Sequence, residues 1–161
     1  MQNDRFMPRN ILPALLVATL VAGTADILLA FLLAYLRSGI SPDIVLRYIA
    51  SAVYGREAFT GGQAMVFTGL LLHFGITFII ALIVFLLYPK AKWMSQHKML
   101  AAVVVGVVVW TVMNLIVIPV TRARAGAFDI IDALSGAVVL ILAIGYPLVF
   151  FAAAYHRRRA A

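Results

Sequence analysis

Four stretches of this chain, Ile11 to Leu36, Ala64 to Tyr88, Met99 to Pro119 and Ala133 to Tyr155, are long and apolar enough to cross bilayer hydrocarbon, which takes roughly 20 residues of helix. Backbone groups in lipid find no water, so only helices or closed barrels can span it. The runs are continuously apolar rather than alternating, which selects helices over barrel strands. With 65% hydrophobic and 12% charged residues, the 161-residue chain carries more apolar surface than one soluble core can hide. The expected fold class is therefore all-α: a single-domain integral membrane four-helix bundle.

The first run could be taken for a signal peptide, since Arg5 and Arg9 precede it and Gly23-Thr24-Ala25 resembles a cleavage site. Apolar character resumes at Ile27 and continues to Leu36, beyond any signal h-region, so all four runs are read as spans. An even number of spans places both chain ends on one side with the loop between the second and third runs. That side holds Arg5, Arg9, Lys90, Lys92, Lys98 and Arg157 to Arg159; the other holds Arg37, Arg47, Arg56, Arg122 and Arg124. The excess of basic residues predicts cytoplasmic termini. Arg157 to Arg159, directly after a membrane run, read as an anchor on anionic lipid and not as a nucleic-acid patch.

Between the first two spans, Ser41 precedes Pro42 as a helix start would require. Ile44, Val45, Tyr48, Ile49, Ala52 and Val53 then recur at helical spacing. The spacing predicts a short amphipathic helix over 42–54 on the outer face, lying on the membrane or capping the bundle. The glycine-flanked segment 55–62 lacks phosphate-loop spacing and reads as a turn into the second span. Pro89 closes that span, leaving a short basic connector with Trp93 at the interface. In the third connector, Asp129 and Asp132 read as a solvated helix start favourable to the dipole, not as a cation site.

Polar residues at membrane depth carry the functional signal. Asp26 is the one acid inside an apolar run, and such a residue is costly unless paired or wet. Counting about 1.5 Å per residue from the outer helix ends places Asp26 roughly 15 Å deep, His73 roughly 14 Å, Trp110 and Thr111 roughly 12 to 14 Å and Asn114 roughly 8 Å. Asp26, His73, Thr111 and Asn114 thus form the candidate intramembrane polar site. A carboxylate beside an imidazole can share a proton, as a relay or a proton-coupled cation site requires. The competing reading is that these groups only hydrogen-bond between helices, each bond worth about 1 kcal/mol. Gly23, Gly69, Gly75, Gly106, Gly136 and Gly145 recur across the runs, where close helix packing explains them. Gly145-Tyr146-Pro147 can bend the fourth span and free a carbonyl.

Much is excluded. With no cysteine, thiol catalysis, disulfide exchange and thiolate metal sites are absent. A bis-histidine haem needs a second intramembrane histidine, whereas His97 and His156 sit at helix ends. No nucleophile with a base, metal cluster or cofactor fingerprint is present, so neither an enzyme nor a cofactor is expected.

Gly69-x-x-x-His73-Phe74, Tyr88-Pro89-Lys90, Ile118-Pro119 and Gly145-x-Pro147 together resemble small multi-span bacterial inner-membrane proteins of the YagU-like type over about the last two thirds of the chain. The resemblance implies a bacterial cytoplasmic membrane and a bundle of about four helices, with no reaction and no site residue carried over. The leading expectation is a structural or partner-binding membrane component. Its alternative is a small proton- or cation-coupled transporter or channel subunit built on Asp26 and His73. Expected partners are the lipid bilayer and a second copy or another membrane protein, not nucleic acid.

Overall fold

The computed structural model describes residues 11–123 and 129–160. Arg5, Arg9 and Arg124, which enter the count of basic residues, lie outside them. Regular structure among the described residues is helical: α1 Ile11–Ser38, α2 Pro42–Tyr54, α3 Gly62–Leu87, α4 Lys92–Gln96, α5 Lys98–Val120 and α6 Ile130–Arg157. Of these, α1, α3, α5 and α6 are long and apolar enough to cross a membrane. Their ends fall within a helical turn of the expected runs.

α5 and α6 each contain a widened, π-helical turn, Met113–Val117 and Ile141–Gly145. In both, a proline follows two residues later, Pro119 and Pro147. Proline has no N–H and its ring displaces the carbonyl four residues back, so the preceding turn opens.

α1 stops where Gly39 adopts φ 63° and reverses the chain. The Gly39 and Ile40 N–H groups then bond the Tyr35 and Ala34 carbonyls at 2.9 and 3.2 Å, satisfying the last turn. Ser41 has the extended backbone of a helix cap, but its hydroxyl does not cap the helix. It donates to the Asp43 carboxylate at 2.5 Å instead. That bond is the main cause holding the exposed Asp43 carboxyl below the usual carboxylate range. α2 packs closely on α3 because residue 69 is glycine: a methyl group there would overlap the Leu46 carbonyl. Near its other end, the Ala52 carbonyl accepts from the Arg122 N–H at 3.1 Å, tying α2 to the end of α5. A 3-10 turn over Gly55–Phe59 leads from α2 towards α3.

α6 packs against α1, α3 and α5. The close-packed core joins Leu15, Ala18 and Ala22 of α1, Ala81 and Phe85 of α3, Ala101 and Ala102 of α5, and Leu148, Val149 and Ala152 of α6. Most of it lies towards the end of the molecule carrying α4. Small side chains let the backbones meet. A methyl at Gly106 would strike the Ile141 backbone, and one at Gly145 the Ala102 carbonyl. Gly75 has no such neighbour, so packing does not explain it. At the α4 end, His156 Nε2 donates to the Phe85 carbonyl at 3.0 Å and its ring stacks on Tyr88, centroids 5.7 Å apart.

Candidate functional site

At the opposite end the spans surround a cavity of about 550 Å³. Asp26, His73 and Asn114 line it, joined by Tyr48, Trp110, Asp129 and Asp132. The rest of the wall is mainly apolar, with Ile27 and Leu33 from α1 and Ile76 and Ile80 from α3.

His73 is set by a close approach of α3 to α1. A side chain at Gly23 would meet the Phe74 ring at 2.7 Å, so glycine permits the approach. The His73 ring, only 9% exposed, then reaches the Gly23 carbonyl at 2.9 Å through Nε2. A carbonyl oxygen only accepts, so Nε2 carries the hydrogen and Nδ1 is where the ring can gain or lose a second proton. The Thr77 hydroxyl donates to the His73 carbonyl at 2.9 Å, one turn along α3. Phe74 meets the imidazole edge-on, centroids 5.3 Å apart.

Asp26 lies three residues after Gly23 and is part-buried. It is close enough to interact electrostatically with His73, but forms no direct ion pair or hydrogen bond among the described residues. Asn114 sits in the widened turn of α5 and donates through Nδ2 to the Trp110 carbonyl at 2.9 Å. Thr111 departs from the expected layer: its hydroxyl donates to the Val107 carbonyl at 2.8 Å on its own helix, and it does not line the cavity.

The sequence reading assigned no site role to Asp129, Asp132 or Tyr48. Asp129 caps α6, accepting from the Ile131 and Asp132 N–H groups at 2.8 and 3.0 Å. This agrees with the expected helix start, but the same residues also form the cavity wall. Asp132, 67% exposed, brings the cavity to the surface and pairs with Arg37 at the end of α1. Their shared end with Asp26 was available from the span count. Tyr48 of α2 closes another side; burial pushes its phenol up, so it remains neutral.

The cavity thus places carboxylates at its inner wall and its mouth, against one imidazole, in mainly apolar surroundings. Such an arrangement favours positive charge and supports proton exchange between a carboxylate and an imidazole. Among the described residues, no three His, Cys, Asp or Glu side chains gather as a metal site. No protein family, curated protein or solved structure matches the chain.

Proposed function

We propose that this chain is a multi-pass protein of the bacterial inner membrane that binds a small cation in the cavity and exchanges it for a proton at Asp26 and His73. In this reading α1, α3, α5 and α6 form a four-helix membrane bundle with both termini cytoplasmic. α2 lies at the outer face and closes one side of the cavity. The basic residues at the terminal side support that orientation. The observation carrying the function is that Asp26 and His73, from two helices, line one cavity that reaches the surface at Asp132. Cation entry favours the ionised carboxylate, and the released proton leaves through the imidazole or water.

The test is pH-gradient-driven cation uptake, with counter-flow of protons, in proteoliposomes holding wild type or Asp26→Asn. Uptake by wild type and loss in the variant are expected. Equal uptake by both removes Asp26 from the mechanism, and no uptake across inorganic and organic cations overturns the reading.

A structural or partner-binding role is favoured by one different observation. The most apolar 18-residue stretch of α5 is the least buried, 22% against 28 to 33% for the other spans, and α5 exposes Val112 and Ile116 beside and within its widened turn. That face suits a second copy or another membrane protein. Cross-linking through cysteines placed at 112 and 116 tests it: bilayer-dependent dimers are expected, and a strictly monomeric chain removes the second copy.

A further inference from the structure

We propose that the cavity selects an organic monocation with apolar, ring-bearing substituents over a metal ion or an anion. This rests on the cation-site reading above and names its ligand class.

Charge supplies the first argument. Asp26 stands at the inner wall and Asp129 and Asp132 at the mouth, where Arg37 pairs with Asp132; among the described residues the basic side chain in the lining itself is His73, whose Nε2–H is committed to Gly23. An anion would meet acid at both levels.

Size and donor geometry supply the second. A cavity of about 550 Å³ falls in the range of small-molecule sites. Metal ions of the calcium or magnesium kind need about six or more converging oxygens. Here Asp26 is on α1, Asp129 accepts from two backbone N–H groups, and Asp132 holds Arg37. The carboxylates are divided between the two levels of the cavity and do not form one cage.

The wall supplies the third. Trp110 and Tyr48 contribute aromatic rings to the lining, and aromatic rings attract a dispersed cation. Ile27, Leu33, Ile76 and Ile80 can bury its substituents but offer a hydrated metal ion nothing. The mouth already holds one organic cation of the chain's own, the Arg37 guanidinium on Asp132.

The experiment is equilibrium binding of tetraphenylphosphonium to the purified full chain in detergent, with no ion gradient. Saturable binding is expected, about tenfold weaker in Asp26→Asn and largely restored in Asp26→Glu. Trp110→Leu should weaken it several-fold, and triphenylphosphine oxide, with similar rings and no net charge, should bind about tenfold more weakly than tetraphenylphosphonium. Magnesium, calcium and manganese should not displace the probe. The proposal is overturned by absent saturable binding to the folded chain, by equal affinity in Asp26→Asn or for the neutral probe, or by displacement with these metals. The transport and ligand readings fail separately: binding without exchange in proteoliposomes removes the transport reading, while proton exchange driven by inorganic cations without probe binding removes the ligand class.

Discussion

His73 and His156 make the same bond in opposite halves of the molecule, each donating from Nε2 to a carbonyl on a neighbouring helix, Gly23 at 2.9 Å and Phe85 at 3.0 Å. Around His156 the space is filled by Tyr88 and Tyr155, whose rings lie 5.7 and 5.1 Å away. Around His73 the helices leave a cavity with Asp26 on its wall. An interhelical imidazole bond is therefore no sign of function by itself. What distinguishes His73 is the room beside it and a carboxylate without a direct partner among the described residues.

Packing differs in the same way. In the half containing α4, alanines of all four spans close the core, whereas in the other half α2 packs on α3 at Gly69 and α3 on α1 at Gly23, yet the spans and the widened turn of α5 still leave open space between them. The largest expected effect is at the backbone crossing of α5 and α6. Gly106→Leu should destabilise the folded chain by more than about 3 kcal/mol, because the new side chain must displace the Ile141 backbone. Unfolding in mixed micelles measures this, and a change below about 1 kcal/mol would show that the crossing is not tight.

Truncation should then separate the halves. Phe85 is fully buried in the core, so Phe85→Ala should cost about 3 kcal/mol through lost contacts and a new void. Ile76 faces space that already exists, so Ile76→Ala enlarges a cavity instead of creating one and should cost about 1 kcal/mol or less. Equal losses in the same unfolding assay would mean that the cavity collapses around Ile76 and that the halves do not differ.

The contrast was only partly legible in the sequence. Length and hydropathy revealed four apolar helices because lipid imposes both quantities directly. Counting residues placed Asp26, His73 and Asn114 at depth, but depth says nothing of rotation about the helix axis. In a soluble helix an apolar stripe would supply that angle; α5 is apolar all round, so Thr111 and Asn114 could not be told apart. Both side chains bond back to a carbonyl four residues earlier on α5, but Asn114 lines the cavity and Thr111 does not. α4 went unseen because its five residues are too few to show a period. Pro119 and Pro147 were visible, yet a proline marks where a helix must yield without saying that both turns would widen.

The smallest effects come from making the same substitution in both halves. Thr19 is 5% exposed, and its hydroxyl has no hydrogen-bond partner among the described residues, whereas the Thr77 hydroxyl, on the cavity wall, donates to the His73 carbonyl. Valine keeps the shape of threonine and removes the hydroxyl. Thr19→Val should therefore stabilise the chain by about 1 kcal/mol, because a buried polar group without a partner is lost. Thr77→Val should destabilise it by about 0.6 kcal/mol, the usual worth of such a bond in a membrane protein. The opposite signs are the measurement: the same methyl-for-hydroxyl exchange is favourable where polarity is stranded in a packed core and unfavourable where it supports the histidine at the cavity. If both variants shift unfolding in the same direction, hydroxyl partnering does not distinguish the two halves, and the space around His73 alone must do so.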